Sequence, residues 1–249
     1  MKKLVGVVLM WLVSLSIHAQ TIDNLSFITE EYPPFNFEKD GKRQGISVDT
    51  LVEMLSLVGS RKTRDDIKLW PWARGYETAL KEKNTVLFAT VRTNAREHLF
   101  KWVGPIMPSR IVLVAPKSRN IIIGSIEDLN RSQYKIGVVR EDVAEQLLLK
   151  LGVKPDRIFR ATSGMNVAKM LQAGHIDMWA YGSPVILWNM KELGYATSDY
   201  EEVYTLSNSE SYYYAFHKNV DDKIIAQFQQ ALDYLKKSGK FDEIMVRYR

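Results

Sequence analysis

Lys135-Ile136-Gly137-Val138-Val139-Arg140-Glu141-Asp142-Val143 decides the fold. Lys135 to Val139 has the short apolar, β-branched character of a buried strand, and Asp142 stands ready to start a helix directly after it. The helix runs from Asp142 to Leu151 with Gly152 just past its end, and Glu145, three residues after Asp142, resembles the second half of a capping box. Strand passing at once to helix is the unit of an α/β fold. Downstream it recurs as strand Arg157 to Ala161, helix Met165 to Ala173, strand Ile176 to Ala180 and a helix near Val185 to Leu193. Upstream it recurs as strand Leu25 to Thr29, helix Ser47 to Val58, strand Ile67 to Trp70, helix Ala73 to Lys83 and strands Val86 to Thr90 and Ile111 to Ala115. Strands Glu202 to Leu206 and Ser211 to Phe216 lead into a last helix with the apolar stripe Ile224, Ile225, Phe228, Ala231, Leu232 and Leu235, ending at Gly239. No low-complexity linker separates the halves, so the pattern predicts two α/β lobes joined by strands rather than by a tether.

The composition fits that picture. Of 249 residues, 46% are hydrophobic and 25% charged, which excludes disordered, collagen-like and coiled-coil classes. The net charge is +5 with no run of five or six like charges, so nothing marks a nucleic-acid partner, and a small solute is the expected one. The absence of cysteine removes disulfides, thiol nucleophiles, cysteine zinc sites and lipid attachment at a cysteine. Lys2 and Lys3, the apolar run Leu4 to Val13 and the smaller residues from Ser14 to Ala19 predict a cleavable signal peptide over residues 1–19 and an exported, periplasmic chain from about Gln20. The run is too short for the ~20 apolar residues of a membrane anchor. His98, His175 and His217 fall at no metal-ligand spacing, and no nucleophile elbow, phosphate loop or dinucleotide fingerprint occurs. No metal, no cofactor and no catalytic residue is therefore expected.

Aromatic residues and arginines gather where strands pass into helices. Tyr32, Pro33, Pro34 and Phe35 follow the first strand, Trp70, Pro71, Trp72 and Arg74 the second, and Thr90, Arg92, Thr93 and Arg96 the third. Ligands of open α/β sheets bind outside the carboxyl ends of strands, so these junctions are expected to share one crevice. An arginine there can grip a carboxylate through two parallel hydrogen bonds, and an aromatic face can cover an apolar or cationic part of a ligand. Each has a plainer reading: Phe35 as packing, Trp70 as core, Trp72 and Arg74 as a solvated helix start, Arg92 and Arg96 as partners of Glu97 or another surface acid.

With Tyr32-Pro33-Pro34-Phe35, Gly45-Ile46-Ser47-Val48-Asp49, Thr93-Asn94-Ala95-Arg96-Glu97, Phe100-Lys101-Trp102-Val103-Gly104-Pro105, Tyr134-Lys135-Ile136-Gly137-Val138, Leu171-Gln172-Ala173-Gly174-His175-Ile176-Asp177 and Gly239-Lys240-Phe241 in that order, the chain resembles the extracytoplasmic solute-binding proteins of ABC importers, in particular the polar amino-acid type. The resemblance covers the whole chain beyond the leader. It implies an α/β, two-lobed periplasmic-binding-protein fold of type II, each lobe a sheet flanked by helices and joined by two hinge strands. The crossings are expected near Ser109 to Ile111 and Tyr212 to Tyr214, giving lobe 1 as residues 20–109 plus 214–249 and lobe 2 as 110–213. It implies a monomer that captures a small, carboxylate-bearing solute by hinge closure and delivers it to ABC permease subunits. It further implies that Tyr32 covers the solute, that Arg96 grips its carboxylate, that Thr90 and Arg92 flank the grip, and that Tyr181 lies on the facing lobe.

Two departures qualify the resemblance. The Gly-Thr-Thr turn of amino-acid binders is replaced by Arg140-Glu141-Asp142-Val143, whose helix start is capped by an acid. The usual amine-binding acid, five positions after Asp177, falls on Gly182. Unless Glu141, Asp142 or another acid substitutes, a standard amino acid is expected to bind weakly, because its ammonium would be buried unpaired. A receptor for a membrane sensor, and an enzyme resembling dehydratases of cyclohexadienyl acids, are the alternatives; the enzyme would need a carboxylate inside the closed cleft, and Glu141 is the one nominated.

Overall fold

The computed structural model describes residues 21–248; the leader expected over residues 1–19 lies outside them. The chain opens with β1 (Ser26–Thr29), the hairpin β2 (Phe37–Lys39) and β3 (Lys42–Gln44), α1 (Ile46–Leu57), β4 (Lys68–Leu69), α2 (Trp72–Lys81), β5 (Thr85–Val91) and β6 (Phe100–Pro108). After the first crossing come β7 (Ile111–Pro116), α3 (Ile126–Arg131), β8 (Ile136–Val139), α4 (Val143–Lys150), β9 (Ile158–Ala161), α5 (Gly164–Gln172), β10 (Met178–Gly182), α6 (Ser183–Glu192) and β11 (Tyr200–Ser207). The chain then returns as β12 (Ser211–His217), α7 (Asp222–Lys237) and α8 (Lys240–Val246).

These strands form two five-stranded sheets, ordered β4-β1-β5-β12-β6 and β11-β7-β10-β8-β9. Within each, the βα units lie parallel and the crossing strands run antiparallel to them. β5 and β8 are buried along their whole length, as strands covered by helices on both faces require. Ser109 N donates to Glu210 O at 3.0 Å, tying the two crossings side by side. The return crossing comes earlier than the sequence suggests: Ser211 and Tyr212 already pair with β6, and Tyr213 pairs with Thr90 of β5. Residues 211–213, expected in the second lobe, therefore belong to the first sheet.

Two elements escaped the periodicity. β6 carries Gly104-Pro105, which reads as a loop, yet it is the sheet's edge, where a missing N–H costs no ladder bond. The β2–β3 hairpin turns on Asp40 and Gly41, both left-handed (φ 53° and 73°), a turn signal inside a polar stretch too short to show alternation.

Candidate functional site

Arg96 is the centre of the interlobe site. The turn after β5 (Arg96 N to Thr93 O, 3.0 Å) carries it inward, and it is 1% exposed. Trp72 opens α2 and Tyr76 follows one turn later, so their rings stack on one helix face with centroids 5.6 Å apart. The guanidinium lies against both, 5.4 Å from the Trp72 ring and 5.0 Å from Tyr76. Nη1 donates to Val91 O at 3.2 Å and Nη2 to Glu141 O at 3.4 Å, while Nε is buried without a partner. Burial pulls the Arg96 pKa down, opposed by the charges of Asp142 and Glu30 and by Tyr76.

The facing wall is the turn between β8 and α4. Glu141 adopts a left-handed conformation (φ 62°), and its carbonyl accepts from Trp72 Nε1 at 2.9 Å as well as from Arg96. One carbonyl of the second lobe thus receives two donors of the first. The turn is braced from behind: Glu145 accepts from Glu141 N at 2.7 Å and pairs with Arg160 at 2.5 Å. The capping pattern is realised in an altered form. Asp142 accepts from Ala144 N at 3.0 Å as a cap should, but Glu145 reaches Glu141 rather than Asp142.

Two carboxylates share this interior. Glu30, at the end of β1, and Asp142 are each 6% exposed. Burial drives the Glu30 pKa well up, Asp142's charge adds to it, and a hydrogen bond from Tyr181 Oη (3.3 Å) and the charge of Arg96 hold it back in part. Burial also raises Asp142, against its bond from Ala144 N and the charge of Arg96. Tyrosines fill the space between: Tyr32 Oη lies 2.9 Å from Tyr212 Oη, and the Tyr32 ring meets Tyr181 edge-on at 4.9 Å and stacks on Phe35 at 5.5 Å. Burial pushes all three phenols up, keeping them neutral donors.

Tyr32, Phe35, Trp72, Arg96, Asp142 and Tyr181 therefore converge at the interlobe contact. The others take different places. Arg92 spends its fork on Glu97, with bonds of 2.8 and 2.6 Å, beneath the rings of Trp102 and Tyr213. Thr90 is buried and turns its hydroxyl onto Leu87 O at 3.2 Å. Arg74 is exposed, its guanidinium 3.9 Å from the Trp70 ring. Trp70, expected in the core, is half-buried because β4 is an edge strand. Glu141 is exposed and contributes its carbonyl rather than its carboxylate, so the acid nominated for catalysis does not enter the closed cleft. Glu30, Tyr76 and Tyr212 were not foreseen. Glu30 does stand at the same strand-to-helix junction as Tyr32, and Tyr76 lies four residues after Trp72.

Cavities open on either side of this contact. One of about 410 Å3 lies between Glu30, Leu69 and Trp70 of the first lobe and Thr162 and Ser163 of the second. Another, of about 340 Å3, lies between Phe37 and the second lobe's Met165 and Trp188. Both fall in the size range of small-molecule sites.

Two α/β lobes joined by paired crossings, with a buried arginine, two buried acids and aromatic rings between them, define the class of two-lobed solute-binding proteins. The model of the bacterial extracellular solute-binding proteins, family 3, matches residues 25–249, and the chain belongs to that family. A protein of Neisseria gonorrhoeae described as "Probable histidine-binding protein" is 24% identical over 221 residues, 88% of this chain and 80% of that one. Among solved structures, an arginine-, lysine-, histidine-binding protein of Geobacillus stearothermophilus is similar with a TM-score of 0.75 at 18% identity, covering 90% of this chain and 94% of its own. A histidine kinase sensor domain with similarity to periplasmic binding proteins gives 0.78 at 18% identity, covering 90% and 95%.

Proposed function

We propose that this protein is a periplasmic receptor for an amino acid, which it holds between its lobes by hinge closure and hands to an ABC permease. The observation that carries the reading is the buried Arg96 with its unpartnered Nε, set beside Glu30 and Asp142. A solute carboxylate takes the guanidinium, replacing the long contact to Glu141 O with a charge-assisted one. With both acids ionised the buried set holds one negative charge in excess, and a solute ammonium offsets it. The two acids thus supply the amine partner that Gly182 lacks, against the expectation from sequence that standard amino acids bind weakly. The histidine-binding description of the Neisseria protein and the arginine-, lysine- and histidine-binding description of the Geobacillus protein support an amino-acid solute.

Calorimetry with the twenty standard amino acids and their deaminated analogues tests this. At least one amino acid should bind with Kd of about 10 μM or tighter, and its deaminated analogue about tenfold or more weakly. Binding of a deaminated acid in preference to every amino acid would overturn the zwitterion reading and restore the expectation drawn from Gly182.

A further inference from the structure

Gly182 ends β10 with φ −65° and ψ 123°, angles open to any residue. Glycine is required there for space instead. A Cβ at this position would lie 2.2 Å from Tyr32 Oη and 3.1 Å from both Tyr32 Cζ and Tyr212 Oη. The Tyr32 ring cannot simply step aside, since it is stacked on Phe35, set edge-on to Tyr181 and bonded to Tyr212. Tyr32 and Phe35 belong to the first lobe, Tyr181 and Gly182 to the second, and Tyr212 to the strand just after the return crossing.

We propose that Gly182 is the specificity-determining position of the cleft: its missing side chain is a socket that admits Tyr32 between the lobes. The socket fixes how far the lobes close. It also gives the β10 end of the cleft to two phenol hydroxyls, so that a solute's cationic group is left to Glu30 and Asp142. The second consequence rests on the amino-acid reading above; the first does not.

The test begins on the ligand-free protein, where the socket acts on the equilibrium between open and closed lobes before any solute arrives. Gly182→Ala should raise the radius of gyration in small-angle scattering and expose the Trp72 indole N–H, bonded across the lobes to Glu141 O, to solvent exchange about tenfold faster. Adding Tyr32→Phe removes the clashing oxygen and should return both readouts toward wild type, while thermal unfolding reports that each variant folds. On a Tyr32→Ala background, where the socket is empty, Gly182→Ala should change neither. Wild-type scattering and exchange in Gly182→Ala, no recovery in the double variant, or a shift on the Tyr32→Ala background would each overturn the proposal. With an amino acid identified by calorimetry, Gly182→Ala should weaken binding and the Tyr32→Phe double variant should recover part of it. If no amino acid binds, the solute reading fails while the ligand-free measurements still decide the socket.

Discussion

Arg96 brings a full positive charge to a place closed to water, a cost that only opposing charge and hydrogen bonds offset. Its counter-charges, Asp142 and Glu30, are themselves buried and raised, so the three form one electrostatic unit. Replacing Arg96 by Ala should cost about 2 to 5 kcal/mol of solute affinity in calorimetry, and Lys should restore only part of it, because a point charge lacks the fork. The acids give a pH signature of determinate sign. A carboxyl whose folded pKa is raised binds more protons folded than unfolded between the ordinary carboxylate range and its raised value, so stability falls as pH rises through that window. The ligand-free protein should accordingly gain thermal stability on mild acidification, and Glu30→Gln should remove most of that gain; an unchanged melting profile in the variant would show that Glu30 is ionised throughout. Solute binding should release a proton, seen as a buffer-dependent binding enthalpy. Of this unit, Arg96 was legible in the sequence as one of two arginines after the third strand, and only the family resemblance set it apart from Arg92. Glu30 was not, because nothing in a linear sequence distinguishes it from its exposed neighbour Glu31.

The turn before α4 shows what an element adds that residue types do not. Arg140-Glu141-Asp142-Val143 reads as a helix start with its amides already capped, and Asp142 does cap Ala144 N. What the sequence could not reveal is the left-handed Glu141, which presents a carbonyl to the cleft at the turn where amino-acid binders carry Gly-Thr-Thr. That geometry depends on Glu145, which holds Glu141 N and Arg160 at once and is 6% exposed. Glu145→Ala should therefore lower unfolding stability by about 1 to 3 kcal/mol in urea titration, the usual cost of stranding buried polar partners. It should also weaken solute binding, by letting the Glu141 carbonyl drift from Trp72 and Arg96. A stability loss with unchanged affinity would show that the turn keeps its shape without the brace. The same limit on reading applies to β6, whose edge position makes Gly104-Pro105 tolerable: edge or centre is a property of the sheet, and local periodicity does not carry it.

At the scale of the whole molecule, two contacts between the lobes, among the described residues, differ in depth. The inner contact is the Tyr32, Trp72, Arg96, Glu141 and Tyr181 set. The outer one is at the rim, where Phe37 of the β2–β3 hairpin meets Trp188 of α6 with ring centroids 5.3 Å apart. In the proposed cycle these have different duties. Inner groups touch the solute, so changing them alters every step of binding. The rim pair forms only once the lobes have met, and it touches a solute that has already docked in the open state only through closure. An aromatic pair of this kind contributes about 0.5 to 1.5 kcal/mol beyond its buried area. Trp188→Ala should therefore open the closed complex faster, raising the dissociation rate severalfold in stopped-flow measurements, with the association rate nearly unchanged, as is usual for contacts made after encounter. Phe37→Ala should do the same, and the two changes together should cost less than their sum, since each already removes the shared contact. Equal slowing of association would place the rim pair on the entry path instead, and additive effects would mean that the two rings hold the lobes through different neighbours.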